Sequence, residues 1–316
     1  MKILITSIGR RIQLIKHLKS NFELIGVDCN DDIAGKFFVD KFYRIPKFDD
    51  KSYINRLIEI CTLENISMII PLYEKEFYIL CEERDRFTEI GVHILLSSKE
   101  IIEICNYKEN TQSFFEDNNI KSPKTYVLED LNKALEFPLI IKPSEGMGSQ
   151  NVFKVKNRKE LMFFNEYIEN PIIQKFIEGE EYTMDVLCDF KGNPVYIIPR
   201  KRIEVRSGEV SKSKVVLDFE IIEQTKIVIE KLNTYKDKNG LGVQGPLTIQ
   251  CFKQRDGEII FLEINPRFGG GVPLSFEAGA NYSDCLNKML SEENITYIHT
   301  DIKELTMIRF DDAIFY

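Results

Sequence analysis

The sequence predicts an α/β protein: a small Rossmann-like parallel α/β layer over residues 1–97, followed by a larger α+β portion over residues 98–316. Three observations predict it. Residues 2–6, 12–19 and 24–28 read as strand, helix and strand, a β-α-β opening. Beyond residue 98 the strands come in pairs around turns, as with the turn 254–257 between the apolar runs 247–252 and 258–262. A length of 316 residues, 43% apolar and 29% charged, suffices for two or three units with cores of their own.

Composition narrows the function classes. A net charge of −8 argues against a nucleic-acid backbone or an anionic membrane as partner. The seven cysteines are odd in number and form no CxxC pair, as expected of buried free thiols in a reducing compartment. His17, His93 and His299 are too scattered for a His-based zinc site or a Ser-His triad. No run is apolar and long enough to span a membrane, and no signal peptide is visible, so a cytoplasmic protein is expected.

In the first layer, the loop Ser7-Ile8-Gly9-Arg10-Arg11 lacks G-x-G-x-x-G: arginines stand where a dinucleotide would need glycines. This loop at a helix start, with Gly9 and its two arginines Arg10 and Arg11, either contacts a small anion or carboxylate or is an exposed basic turn. Strands are expected at 42–46 and 68–72, with a helix at 53–61. Glu74 follows the last strand at the sheet edge where α/β proteins bind ligands, so it is either a substrate contact or an acid at a helix start. A helix over 77–87 and a strand over 93–96 complete the layer.

Residues 99–118 read as one helix carrying Lys108, and 125–128 as a strand. Strand 139–143 ends in Lys142, although buried lysine is costly unless paired. Ser144-Glu145-Gly146-Met147-Gly148-Ser149-Gln150 follows, with Gly146, Gly148 and Ser149 able to turn backbone N–H groups toward phosphate oxygens. The lysine precedes the glycines, so this is no Walker A loop; the next strand, 151–155, makes it a hairpin flap suited to cover a nucleotide. After a helix at 159–167, residues 172–181 are either a plain strand followed by an acidic turn or a strand whose exposed backbone edge at Gln174-Lys175-Phe176-Ile177 can pair with adenine, with Glu181 as an acceptor for ribose hydroxyls. A hairpin surrounds residues 191–193. The charged run 200–209 is either a solvated loop or a carrier of arginines to a triphosphate or acidic substrate. Helices at 219–232 and 282–290 and strand pieces at 308–310 and 313–316 finish the chain.

The densest signal is Glu263-Ile264-Asn265-Pro266-Arg267-Phe268-Gly269-Gly270-Gly271. Strand periodicity puts Glu263 and Asn265 on one face. Hard oxygen ligands on a rigid strand suit Mg²⁺, and Gln250 across the hairpin supplies a third. Arg267 can hold a phosphate bidentately, and Gly269 to Gly271 allow close backbone approach.

In chain order, a helix lysine, a strand lysine, a glycine flap, Gln-Lys-Phe-Ile with a later acid, and Gln…Glu-x-Asn-Pro-Arg resemble the ATP-grasp superfamily. The likeness is greatest to the synthetase halves of carbamoyl phosphate synthase large subunits and their stand-alone relatives, and covers roughly residues 98–290. It implies two α+β subdomains clasping ATP, with 123–188 as the mobile nucleotide-covering subdomain. Lys108 and Lys142 would then contact ATP phosphates, Lys142 also near the adenine. Gly146, Gly148 and Ser149 would close over the phosphates. Gln174, Lys175, Phe176 and Ile177 would frame the adenine, and Glu181 would bind ribose. Gln250, Glu263 and Asn265 would hold two Mg²⁺ ions, with Mn²⁺ as a substitute. Arg267, with Arg202 as the second candidate, would stabilise the transferring phosphoryl group. Apart from the resemblance, Gly9, Arg10, Glu74 and Gly270 stand as candidate substrate contacts. Gln174 departs from the acid that many relatives carry, which bears on base selectivity.

The activity implied is an ATP- and Mg²⁺-dependent ligase that converts a small carboxylate to an acyl phosphate and joins it to an amine, releasing ADP and phosphate. The alternatives are phosphorylation of bicarbonate or carbamate, or an ATP-binding subunit without chemistry. Expected partners are small molecules, with no nucleic acid or membrane; a homodimer is compatible.

Overall fold

The computed structural model describes residues 1–126, 135–144, 151–206 and 208–316. The first layer comprises β1 (Lys2–Thr6), α1 (Ile12–Leu18), β2 (Glu23–Asp28), β3 (Lys41–Arg44), α2 (Tyr53–Glu64), β4 (Met68–Ile70), α3 (Phe77–Glu82), α4 (Arg84–Glu89) and β5 (His93–Ile94). Its strands pair in parallel in the order β3-β2-β1-β4-β5. Both faces of β1 are covered, so alternation sends Ile3 and Ile5 into one core and Leu4 into another. The helix expected over 77–87 is two helices separated at Glu83. The strand expected over 93–96 ends at Ile94, because side chains take the carbonyls that a ladder would use. Arg84 donates to the oxygens of Ile94 (2.9 Å) and Leu96 (2.7 Å), and Gln244 Nε2 also donates to both.

Buried Glu76 organises the carboxyl edge of this sheet. It accepts from Thr6 Oγ1 (2.5 Å), Tyr53 OH (2.5 Å) and the Tyr73 amide (3.1 Å). Burial raises its pKa against those hydrogen bonds. The network pins the turn that carries Glu74 to the end of β1.

The helix expected over 99–118 is α5 (Lys99–Asn106) and α6 (Lys108–Asp117), broken by the extended backbone of Tyr107, which makes Lys108 the first residue of a helix. Next come β6 (Thr125–Tyr126), β7 (Leu139–Pro143), β8 (Phe153–Val155), α7 (Arg158–Tyr167) and β9 (Pro171–Lys175). These strands form an antiparallel sheet in the order β6-β9-β7-β8. Its small core contains Leu139, Ile141, Val155, Leu161, Ile168 and Ile173. Gly146, Gly148 and Ser149 lie outside the described residues.

The third sheet contains β10 (Glu180–Cys188), β11 (Pro194–Arg206), β12 (Glu209–Val215), β13 (Gly245–Lys253), β14 (Ile259–Asn265) and β15 (Thr306–Ile308), ordered β14-β13-β10-β11-β12-β15 and antiparallel. Helices α8 (Phe219–Leu232), α9 (Pro273–Glu277) and α10 (Tyr282–Leu290) complete this part. Two expectations need correction. In its described residues the charged run 200–209 is no solvated loop, since β11 continues to Arg206 and pairs with β12, which begins at Glu209. Within the range 123–188, β10 hydrogen-bonds to β11 and β13 rather than to the four-stranded sheet. Among the described residues only Thr306–Ile308 forms a terminal strand, on the free edge of β12; one further backbone bond, from the Arg309 amide to the Ser211 oxygen (2.9 Å), follows it, and residues 310–316 form no strand.

One core joins the first layer to the six-stranded sheet: Ile3, Ile5 and Leu14 cluster with Ile198, Phe268, Val272, Leu274 and Tyr282. Among the described residues, no helix is long and apolar enough to cross a membrane. The cysteines are free, and Cys61, Cys188, Cys251 and Cys285 are buried.

Candidate active site

A cavity of about 560 Å³ opens where the three sheets meet. The β13–β14 hairpin forms its floor. Gln250 lies directly across from Glu263 in the ladder, beside a bulge at Gln250/Cys251. Glu263 Oε1 accepts from Gln250 Nε2 (2.6 Å) and Asn265 Nδ2 (3.0 Å). Strand alternation explains the convergence: Ile264, between the two polar residues, is fully buried on the opposite face. One carboxylate and two amides suit a hard cation once the amides turn their oxygens inward. Among the described residues no three His, Cys, Asp or Glu side chains form a metal cluster.

Lysines close the opposite wall. Lys142 ends β7 in the cavity, where burial lowers its pKa to about 8; Glu263 opposes the shift and Lys108 adds to it. Lys108 also lines the cavity and donates to the Ser144 carbonyl oxygen (3.1 Å). Half-buried cations of this kind are stabilised by an arriving anion.

A narrower arm lies between β9 and β10. Gln174 is buried and donates to Thr125 Oγ1 (3.1 Å). The backbone edge expected to be exposed from Gln174 onward is not exposed there, because β9 is an interior strand flanked by β6 and β7. The Lys175 amide donates to the Lys124 oxygen (2.9 Å) and that of Phe176 to the Pro138 oxygen (3.3 Å). Free backbone begins at Ile177, which with Lys175 and Phe176 lines the cavity. Glu181, at the mouth of this arm, has its pKa raised by burial, against the opposing charge of Arg202. Arg202 Nε lies 2.9 Å from Glu181 Oε1, an ion pair whose N–H is not aligned for a hydrogen bond. Arg202 is held by Thr183 Oγ1 (3.4 Å) and the Gly208 oxygen (3.3 Å).

The last wall belongs to the first layer. Arg267 reaches Glu74 with an Nε–Oε1 distance of 2.5 Å, joining the metal-type strand to the carboxyl edge of the first sheet. Gly270 lines the cavity, but Gly9 and Arg10 do not. Gly9 is a turn residue with φ +43, its amide donating to Asp28 Oδ2 (3.1 Å) and its oxygen accepting from the Gly35 amide (2.8 Å). Arg10 is exposed and pairs with Glu209 at 3.1 Å. Its neighbour Arg11 enters the cavity instead.

Two further groups escaped the sequence reading. Arg200 lies under the glycine loop, 1% exposed, in a two-point ion pair with Asp185 (2.5 and 2.8 Å). Ser275 Oγ also donates to Asp185 (2.5 Å). A Cβ on Gly271 would collide with the Arg200 guanidinium, so this position tolerates only glycine without rearrangement. Thr248 Oγ1 donates to the Arg267 oxygen (2.9 Å) and holds the start of the loop. The available signal was an arginine ending the apolar run 195–199, the same anomaly that marked Lys142.

Comparison with known proteins agrees with this architecture. The model described as an ATP-grasp domain matches residues 105–271, more than half of the chain. The chain belongs to the ATP-grasp family. A PylC-like N-terminal domain matches residues 3–95. The carbamoyl phosphate synthase large chain of Thermoanaerobacter sp. (strain X514) is 30% identical over 210 residues, which is 60% of this chain and 18% of that relative. Two solved structures share the fold: N5-carboxyaminoimidazole synthetase from Staphylococcus aureus complexed with ADP (TM-score 0.73, 17% identity, 94% of this chain and 78% of that one) and an L-amino acid ligase from Bacillus licheniformis (0.69, 18%, 92% and 74%).

Proposed function

We propose that this ATP-grasp chain is an ADP-forming ligase that activates a small carboxylate as an acyl phosphate and passes the acyl group to an amine. The observation that carries it is one cavity in which Gln250, Glu263, Asn265 and Arg267 face Lys108 and Lys142. The reading is further supported by the family and by neighbours named as amino acid ligase and carboxyaminoimidazole synthetase.

The adenine of ATP fits the arm at Lys175 to Ile177, with the ribose toward Glu181. Lys108 and Lys142 neutralise phosphate oxygens, and Gln250, Glu263 and Asn265 would hold Mg²⁺. Bound there, Mg²⁺ supplies Lewis-acid neutralisation of charge on the transferring group. Arg267, oriented by Glu74, stabilises the equatorial oxygens. The substrate carboxylate attacks the γ-phosphorus, the bond to the β-phosphate oxygen breaks, and ADP leaves. The amine then attacks the acyl carbon and phosphate departs. A closed four-stranded sheet excludes water, since the acyl phosphate would otherwise hydrolyse. We place this covering unit at residues 123–176, with the boundary to the first layer near residue 97.

The likeness to carbamoyl phosphate synthase favours a second reading, phosphorylation of bicarbonate or carbamate. The test is ADP release from Mg·ATP over a panel of carboxylates and amines, with bicarbonate and ammonia included and Glu263→Ala as the blank. Release that needs an organic carboxylate and an amine supports the ligase; release with bicarbonate alone favours the second reading. Absence of release throughout overturns both.

A further inference from the structure

The wall formed by β1, the glycine loop and β12 carries unspent positive charge. Four arginines gather there around two glutamates. Arg267 is paired with Glu74 (2.5 Å), while Arg10 (3.1 Å) and Arg309 (3.0 Å) share Glu209. Arg11 is the remaining cation. It lines the main cavity, and among the described residues its guanidinium has neither an ion-pair nor a hydrogen-bond partner. Burial first, and the charge of Arg267 second, lower its pKa to about 10, and the nearby charge of Glu209 opposes that only in part.

The backbone opposite shows the same want. Gly269 and Gly271 are buried, and their oxygens accept from the amides of Val272 (3.4 Å) and Leu274 (3.1 Å). A trans peptide points its N–H opposite to its C=O, so the Gly270 amide turns away from α9. Among the described residues the amides of Gly269, Gly270 and Gly271 donate to no protein acceptor. A Cβ on Gly270 would stand 3.8 Å from Arg11 Nη1 and equally 3.8 Å from Oε2 of Glu209, the carboxylate already held by Arg10 and Arg309, so loop, guanidinium and that carboxylate enclose room for one small group. Successive free amides facing a guanidinium bind anionic oxygens.

We infer that Arg11 and the Gly269–Gly271 backbone form a subsite for a second anionic group, a carboxylate or a phosphate, carried by the substrate away from its reacting end. The inference rests on the ligase reading for the identity of its ligand as a substrate. Bicarbonate would spend its one charge at the phosphoryl group and leave Arg11 uncompensated. A dicarboxylate, an acidic amino acid or a phosphorylated acceptor satisfies both ends of the cavity.

The test is calorimetric titration of succinate, L-glutamate, L-aspartate and glycerol phosphate, with L-glutamine, L-asparagine and glycerol as neutral counterparts. Wild type, Arg11→Gln and Arg11→Lys are compared, each with and without Mg·ADP. At least one anion should bind wild type about tenfold or more tighter than its neutral counterpart; Arg11→Gln should lose that margin and Arg11→Lys should keep part of it. An ADP affinity unchanged within about twofold in both variants would certify the fold. A phosphate or a carboxylate as the winning group decides between the two sources. Equal binding of neutral counterparts, full anion affinity in Arg11→Gln, or no anion binding to wild type overturns the subsite. Arg11-dependent anion binding without ADP release in any mixture would overturn the ligase reading and leave the subsite standing.

Discussion

Lys142 shows how one side chain converts burial into function. With its pKa lowered to about 8 by burial, the free protein holds it poised between charged and neutral forms. A phosphate placed against it raises that pKa, so binding takes up a proton once the pH exceeds about 8. Nucleotide affinity should therefore be level below pH 8 and fall above it, by up to about tenfold per pH unit. Titrating ADP between pH 7 and 10 checks this, and Lys142→Arg should flatten the profile. Glu263→Ala should reduce ADP release to background at unchanged thermal stability; near-normal turnover would remove the metal assignment. Glu181→Ala should weaken ATP binding on the order of tenfold and slow turnover less, as loss of a charged hydrogen-bond acceptor does. Unchanged ATP affinity would remove the ribose role.

Adjacent strands β10 and β11 carry the buried Asp185–Arg200 pair, each side chain 2% exposed, beneath the glycine loop. Breaking such a pair leaves an uncompensated charge. Arg200→Ala should cost about 3–5 kcal/mol in urea unfolding, whereas Asp185→Leu with Arg200→Leu should cost less. If the single and double variants are equally destabilised, the pair is not what holds the loop. Elements also differ in how readable they were. The β13–β14 hairpin was legible, because strand period and a Gly-containing turn act locally. The break at Tyr107 was not: Thr111 Oγ1 and Asn110 Nδ2 bond back to Ile104 (2.6 Å) and Glu103 (3.1 Å) oxygens across it, contacts that no helical periodicity announces.

In the molecule as a whole, the first layer and the six-stranded sheet share a core, so both should unfold in a single calorimetric transition. The four-stranded sheet has a small core of its own. Amides of β7 and β9 should therefore exchange with solvent faster than those of β10 and β13, and Mg·ADP should slow them selectively. Equal exchange rates that nucleotide leaves unchanged would refute the covering role. Amide exchange followed by mass spectrometry makes both comparisons.

The sequence by itself determined the α/β class, the polar face of Glu263 and Asn265, the anomaly of Lys142 and the exclusion of a dinucleotide loop. Each follows from local periodicity or from a residue type at odds with its neighbours. Tertiary structure alone decided that Arg11 rather than Arg10 enters the cavity, that Glu74 meets Arg267 across 193 positions of sequence, and that Asp185 and Arg200 support the glycine loop. These are pairings between elements. A chain constrains its own strands through alternation and turns, but the partner of a charged side chain is set by which surfaces the shared core brings together.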